Sequence, residues 1–167
     1  MALAEDLLSQ ARILAMTDPG KPKQANLRRA VSSAYYALFH LLIAESVQKL
    51  LVGHRKTLMD RVSRAFQHGE MQKACRQWQT TPLPPVLKKL LDGDASSQLI
   101  SLAASFVDLQ EARHTADYDV SARFSRADVL GLVEDAELAF DSWDVIKKSE
   151  EMLPFLASLA FGARWSK

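Results

Sequence analysis

The apolar positions of this chain recur at helical spacing over most of its length. A first helix is predicted at 2–16, because its apolar residues fall on one stripe. That stripe consists of Leu3, Leu7, Leu8, Ala11 and Leu14. The sequence DPGKPK at 18–23 then ends the helix, since its prolines and glycine do not continue a helical backbone.

The longest predicted helix covers 24–52 and is apolar around much of its circumference. One face carries Leu27, Val31, Tyr35, Leu38 and Leu42, and the adjacent face carries Ala30, Ala34, Ala37, Leu41 and Ala44. A helix of this kind belongs at the centre of a bundle, where the alanines allow neighbouring helices to approach closely.

Four further helices follow along the chain. They are predicted over 57–78, 86–91 and 95–116, and from Ser125 to about 148. The first of them is basic and less regular, and the second ends at Asp92-Gly93 after the loop TTPLPP. Ser125 with Asp128 three residues later resembles a capping box, which places a helix start there.

The C-terminal tail at 151–167 is more apolar than a free terminus requires, and Pro154 interrupts or restarts it. Its large apolar residues are Leu153, Phe155, Leu156, Leu159, Phe161 and Trp165. Two interpretations stay open for this tail. It forms a last helix that closes the bundle, or it forms a surface for a partner.

These segments predict an all-α protein. We find no repeat, no linker and no strand with clean alternation of apolar and polar residues. A chain of 167 residues is the size of one domain. We therefore expect a single-domain antiparallel helical bundle over 1–167, with about five main helices and a core at about 5–150.

The charges are unevenly distributed although the net charge is only +1. Residues 1–89 contain 14 Lys and Arg against 6 Asp and Glu, whereas residues 90–167 contain 7 against 14. Such asymmetry indicates a basic face for nucleic acid, or oppositely charged helices packed against each other in one bundle.

The sequence favours a cytoplasmic protein. Glu5 and Asp6 near the N-terminus do not fit a signal peptide. The longest apolar run, between Arg29 and Glu45, has 15 residues, and crossing a bilayer takes about 20. Cys75 is the only cysteine, which excludes an internal disulfide and a cysteine-based zinc cluster.

No motif for a cofactor or a metal is found in the sequence. The segment PGKP at 19–22 lacks the spacing of a phosphate-binding loop. The four histidines, which are His40, His54, His68 and His114, form no convincing helical pair with another metal ligand. We therefore predict neither a cofactor nor a metal site.

Arg113 occupies an unusual position on the helix at 95–116. It follows Phe106 by seven residues, or two turns, and therefore points the same way as a core phenylalanine. An unpaired charge in apolar surroundings is costly. Arg113 must therefore line a cleft, pair with a carboxylate such as Asp117 or Asp119, or face a partner subunit.

Three polar aromatic residues interrupt the long central helix. They are Tyr35, Tyr36 and His40, of which Tyr36 and His40 share a face because they are four residues apart. Buried hydroxyl and imidazole groups need hydrogen-bond partners. These side chains form an internal polar network, or they line the same ligand-binding cleft as Arg113.

Two of these segments together resemble a known family. NLRRAVSSAYYALFHLL at 26–42, followed by RHTADYD at 113–119, is similar to the HEPN-domain family of small helical bundles. The resemblance covers about residues 5–150. It implies a dimeric protein, and many family members are metal-independent endoribonucleases that act as toxins paired with an antitoxin.

The resemblance also assigns residues to a site. The arginine of the family falls on Arg113 and the polar residue after it on His114, but the distal histidine is absent. The positions for it hold Tyr118, Asp119 and Val120, so the chain resembles the RxxADY branch of the family. Arg113 would hold a phosphate, and His114 or Tyr118 would have to transfer the proton.

Three functions follow as hypotheses. The first is a HEPN-like protein of a toxin–antitoxin or defence module, which binds RNA, a nucleotide or a partner protein such as an antitoxin or nucleotidyltransferase. Its polar cleft would comprise Arg113, His114, Asp117 and Tyr118. The second is a metal-independent endoribonuclease that uses Arg113 with His114 or Tyr118. The third is a non-catalytic interaction module in which RHTADYD is an ion-paired structural joint.

Overall fold

A computed structural model of the chain describes residues 2–91 and 93–162, and within them it is all-α, with eight helices and no strand. The helices are α1 (Ala2–Met16), α2 (Gln24–Leu50), α3 (Lys56–Ser63), α4 (His68–Trp78), α5 (Pro85–Leu91), α6 (Ser97–Tyr118), α7 (Arg126–Ile146) and α8 (Met152–Phe161). The predicted helix end at Asp92 and the role of Trp165 in the tail lie outside the described residues.

The single helix predicted over 57–78 is wrong, because the chain forms α3 and α4 there, separated by residues 64–67. α3 has no fully buried residue and turns Met59 and Val62 partly inward. α4 buries Met71, Ala74, Cys75 and Trp78. At 100° per residue, one continuous helix would place these two stripes about 140° apart. The break allows both stripes to pack.

The helices form two compact units. Unit 1 consists of Met1–Leu41 and Ser105–Phe140, and unit 2 consists of Leu42–Ala104 and Asp141–Lys167. In unit 1, a cluster of buried residues joins α1, α2, α6 and α7. Its members are Ala15, Leu27, Ala30, Val31, Ala116 and Val129.

α1 packs into unit 1 through small side chains. Its buried residues are Ala4, Ala11 and Ala15. Of the apolar stripe predicted for this helix, only Ala11 is fully buried, whereas Leu3 is 56% exposed. The larger side chains of α1 therefore lie mainly outside the core of the unit.

α2 is the most enclosed of the long helices. Within the described part of the chain it alone is long and apolar enough to cross a membrane, yet its most apolar 18-residue stretch is 83% buried. The core helix of a folded protein meets the same two criteria of length and composition.

Arg126 and Gln24 close the connections of unit 1. Arg126 Nε donates to the carbonyl of Ala15 at 3.2 Å, at the end of α1, and its Nη2 donates to the carbonyl of Gly20 at 3.1 Å, in the loop that follows. Gln24 forms reciprocal bonds with the backbone of Phe124, at 2.8 and 3.0 Å. The predicted capping box is confirmed, because Ser125 Oγ accepts from the backbone N–H of Asp128 at 3.1 Å and donates to its carboxylate at 2.6 Å.

In unit 2, α8 packs against α4. The described part of the apolar tail forms this helix, and the side chains of Phe155, Leu156 and Leu159 are buried. The Trp78 ring meets the Phe155 ring edge-on at 6.0 Å. Its Nε1 donates a buried hydrogen bond to Ser158 Oγ at 2.8 Å.

We expect Ser158→Ala to lower the free energy of unfolding by about 2 kcal/mol, because it leaves the buried Trp78 N–H without an acceptor. Ser46→Ala is the matched control. Ser46 is equally buried, but its hydroxyl donates only to the carbonyl of Leu42 in its own helix. Urea denaturation followed by tryptophan fluorescence measures both. Equal losses in the two variants would contradict the assignment.

Candidate functional site

Arg113 lies on α6 against the face of α2 that carries Tyr36. Its Nη2 donates to Tyr36 Oη at 2.9 Å. Its Nε lies 2.7 Å from Asp117 Oδ2. The Nε–H is not directed at that oxygen and makes no hydrogen bond, so the contact with Asp117 is ionic. Of the environments predicted for Arg113, the structure shows the pairing with a carboxylate, that of Asp117 one turn further along the same helix.

Two aromatic rings enclose the Arg113 guanidinium. Its Cζ lies 5.4 Å from the centroid of Tyr36 and 5.5 Å from that of Tyr118. The side chain of Arg113 is only 18% exposed. Burial alone lowers the pKa of Arg113, but the attraction of Tyr36, Asp117 and Tyr118 raises it above its usual value. The residue is a fixed cation beneath the surface.

Asp117 joins the same contact between α6 and α2. Its Oδ1 accepts a hydrogen bond from Ser32 Oγ at 2.7 Å, while its other oxygen faces Arg113. The carboxylate therefore holds the guanidinium on one side and α2 on the other. Arg113 and Asp117 together attach the last two turns of α6 to the central helix of unit 1.

Arg28, on α2, binds the C-terminal end of α6. Its Nη1 donates to the carbonyl of Ala116 at 2.7 Å. Its Nη2 donates to the carbonyls of Asp119 at 2.8 Å and Ala122 at 2.7 Å. The last carbonyls of a helix have no partner within the helix. One guanidinium therefore satisfies a carbonyl in the last turn of α6 and two carbonyls in the loop that follows, and it sets the path of the chain beyond α6.

The sequence contains a signal for this contact that the helical pattern of apolar residues does not reveal. Arg28, Ser32 and Tyr36 recur every four residues on a helix that is otherwise apolar. Side chains at this spacing lie on one face. The structure shows that all three meet the segment at 113–122. The two adjacent arginines of the motif therefore differ, because Arg28 is engaged whereas Arg29 is exposed.

His114 and Tyr118 lie on the outer surface above this buried charge. Both are exposed, Tyr118 by 64%, and their ring centroids are 5.0 Å apart. We call the five residues Tyr36, Arg113, His114, Asp117 and Tyr118 the Arg113 ledge. It presents an imidazole and a phenol to solvent, with a guanidinium beneath the phenol.

A groove borders the ledge where α1 and α2 run side by side. Its volume is about 600 Å³, and it is lined by Leu3, Leu7, Gln10, Leu14, Arg29, Ser32, Ser33, Tyr36 and His40. Tyr36 belongs to both the groove and the ledge. Next to it lies His40, whose ring is stacked with that of Tyr36 at a centroid distance of 6.1 Å. Burial lowers the pKa of His40.

The two remaining predicted site residues lie elsewhere. Tyr35 is fully buried, and its ring packs 5.7 Å from Phe106 and 5.8 Å from Phe39 in the core of unit 1. Asp119 organises the turn after α6. Its carboxylate accepts from the hydroxyl and backbone N–H of Ser121, which lowers the pKa of Asp119.

The structure thus brings together Arg113, His114, Tyr118, Tyr36 and Asp117, and places His40 beside them. Across residues 2–91 and 93–162, no three His, Cys, Asp or Glu side chains converge as a metal site would require. Comparison with known proteins gives no match: no protein-family model, no curated protein and no solved structure matches the chain.

We expect Arg28→Met to lower the free energy of unfolding by about 2 kcal/mol, because three charge-assisted hydrogen bonds to backbone carbonyls are lost. The exposed Arg61 on α3 provides the control variant Arg61→Met, which should change stability little. Chemical denaturation measures both variants. An Arg28→Met protein as stable as Arg61→Met would show that the cap does not hold α6.

His40 makes stability depend on pH in a defined direction. Because the pKa of His40 is lower in the folded chain than its ordinary 6.5, the unfolded chain binds the proton more readily. The contribution of neutral His40 to the free energy of unfolding is complete above pH 6.5. It is lost as the pH falls from there through the lower pKa that His40 has in the folded chain. His40→Gln should flatten this part of a stability–pH profile. A profile that parallels the wild type would contradict the assignment.

Proposed function

We propose that this chain is a HEPN-like protein of a two-component module, of the toxin–antitoxin or defence kind, and that it binds single-stranded RNA on the Arg113 ledge. The observation that supports the proposal is the exposed His114–Tyr118 pair above a fixed, mostly buried guanidinium. The resemblance of residues 26–42 and 113–119 to the HEPN family supplies the biological setting.

The arrangement suits an unpaired nucleic-acid strand. Aromatic side chains bind splayed bases by stacking, whatever the base, and a positive charge nearby attracts the phosphate backbone. Tyr118 exposes 64% of its surface and lies over the Arg113 guanidinium. A base stacked on Tyr118 would therefore bring its phosphate close to a cation whose position is already set.

The same geometry favours binding over cleavage. A phosphate that used Arg113 as its main ligand would have to compete with Asp117, whose carboxylate oxygen is already 2.7 Å from Nε. Proton transfer would fall to His114 or Tyr118, and tyrosine, with an ordinary pKa of about 10, is a poor base at neutral pH. We therefore propose binding rather than cleavage, and the test below also detects cleavage by an endoribonuclease.

A structural role for the ledge is a second candidate, and a specific observation favours it. Arg113 with Tyr36, and Asp117 with Ser32, link α6 to α2 by side-chain bonds. If this linkage were the only role of the motif, removal of Arg113 would reduce the stability of the fold. Substitution of the exposed residues His114 and Tyr118 would then leave RNA binding unchanged.

The test is fluorescence anisotropy with a labelled single-stranded RNA, in buffer containing EDTA. We expect Tyr118→Ala to weaken binding roughly tenfold, since base–aromatic stacking contributes about 1–3 kcal/mol. Phe161→Ala is the control, because it also removes a half-exposed aromatic ring, in unit 2. Both changes are at the surface, so the variants should fold.

The outcomes separate the three hypotheses. Weaker binding by Tyr118→Ala alone supports the proposal. Shortened RNA on a gel, absent in a folded Arg113→Lys variant, would instead establish the endoribonuclease. No RNA binding by the wild type, with a clear loss of thermal stability in Arg113→Ala, would leave the structural joint.

A further inference from the structure

The groove of unit 1 lies between two antiparallel helices. Ser33 Oγ, on α2, donates to Gln10 Oε1, on α1, at 3.0 Å, and both residues line the groove. Ala15, at the end of α1, belongs to the same buried cluster as Leu27, near the start of α2. Together these two contacts show that α1 and α2 run in opposite directions. The start of α2 therefore faces the end of α1, and its later turns face the start of α1.

The half of the groove near the start of α2 carries hydrogen-bond donors. Arg29 lines it and is exposed, and its guanidinium forms no ion pair or hydrogen bond with any residue that the structure describes. One turn further along α2 is the bond from Ser33 to Gln10 Oε1, which leaves the Gln10 Nε2 group to donate elsewhere. A guanidinium and an amide N–H₂ group both call for an acceptor, and a negatively charged carboxylate is a strong one.

The other half of the groove is apolar and aromatic. Leu3 and Leu7 line it from α1, and Leu3 is 56% exposed. From α2 it is lined by Tyr36 and His40, whose rings are stacked on each other. Gln10 and Leu3 are seven residues apart, so this half extends for about 10 Å along α1. A hydrocarbon chain laid along it would remove apolar surface from water, which is favourable.

The charges at the two ends of the groove give such a ligand a direction. Arg29 supplies a positive charge at one end. Asp6 is exposed on α1 three residues from Leu3 and therefore places a negative charge near the other end. An anionic group is attracted to the first end and repelled from the second. The groove thus fits a molecule with a negative head and an apolar tail.

We propose that the groove binds a medium-chain carboxylate such as octanoate. Its carboxylate lies between the Arg29 guanidinium and the Gln10 amide, and its chain runs along Leu7 to Leu3. An extended octanoate is about as long as the apolar half, about 10 Å. The groove volume of about 600 Å³ falls in the range of ligand sites, about 300–1,000 Å³. This site is separate from the RNA binding proposed for the Arg113 ledge.

The narrow groove favours one free acyl chain over a helix or a lipid bilayer. α1 buries only alanines, and polar side chains of the two walls meet at 3.0 Å across the middle of the groove. A helix with its side chains is about 10–12 Å wide, so it does not fit between these walls. Glu5 and Asp6 are exposed on α1 and would repel a bilayer of acidic lipids.

The test is an NMR titration of the isotope-labelled full chain with octanoate below its micelle concentration. Octanol is the uncharged control ligand. Backbone shifts should change in α1 and in the first half of α2, and octanoate should bind about fivefold more tightly than octanol. Arg29→Gln should abolish this preference. Arg61→Gln is the matched control, because it removes an exposed arginine of α3, and it should leave the preference unchanged.

A second variant tests the apolar half of the groove. Leu7→Asn should weaken the binding of both ligands about tenfold, because apolar contact is lost. Met16→Asn is the matched control on the same helix and should bind both ligands like the wild type. Met16 is 55% exposed but points about 150° away from the row of Leu3 and Leu7. Circular dichroism verifies that the variants remain folded.

Four results would overturn the proposal. They are no binding of octanoate by the wild type, a preference for octanoate that Arg29→Gln retains, unchanged affinity in Leu7→Asn, and binding to vesicles of acidic phospholipid without binding of free octanoate. Tyr118→Ala removes the proposed RNA contact but should bind octanoate like the wild type, so the two proposals can fail separately. Loss of octanoate binding in Tyr118→Ala would place the ligand on the ledge and would also overturn the groove site.

Discussion

The three hydrogen bonds from Arg28 to the end of α6 are the contact on which the candidate site depends. A helix ends with carbonyls that lack partners, and residues 119–125 connect α6 to α7. By binding the carbonyls of Ala116, Asp119 and Ala122, Arg28 fixes both the helix end and the first residues of the loop. Only with α6 in that register does Asp117 meet Ser32 and Arg113 meet Tyr36. The outer residues His114 and Tyr118 then project to solvent because the inner ones are held.

The charges of the site follow from this register. Arg113 is drawn into a partly apolar position, where an isolated charge would be costly. Its compensation comes from three directions: the Asp117 carboxylate, the Tyr36 hydroxyl, and the faces of Tyr36 and Tyr118. Because the Asp117 carboxylate lies 2.7 Å from Nε, the Arg113 guanidinium is already paired within its own helix. Arg113 therefore joins α6 to α2 while its guanidinium lies beneath the exposed ring of Tyr118.

Periodicity predicted the helices well wherever one apolar face meets one core. The bounds of α1 agree with the prediction, and α2, α5 and α6 agree to within a few residues. It failed at 57–78, where two segments bury different faces and the helix must break between them. It could place Arg113 on an inward line of α6 because Phe106 lies two turns earlier. It did not identify Arg28, because the role of Arg28 depends on which loop lies opposite. Every residue has a backbone carbonyl, so the sequence does not show which carbonyls will accept its hydrogen bonds.

The two apolar rows of α1 show a second limit of the pattern. Both the alanine row and the leucine row of this helix are apolar, so the pattern alone does not show which row is buried. In the structure the alanines are buried, because small side chains let α1 lie close to its neighbours in unit 1. Apolarity alone does not say whether a row packs against its own chain or against another. In α1 the size of the side chains makes the difference: the buried row has only small side chains, whereas the leucine row, which contains Gln10, lies exposed or half-buried.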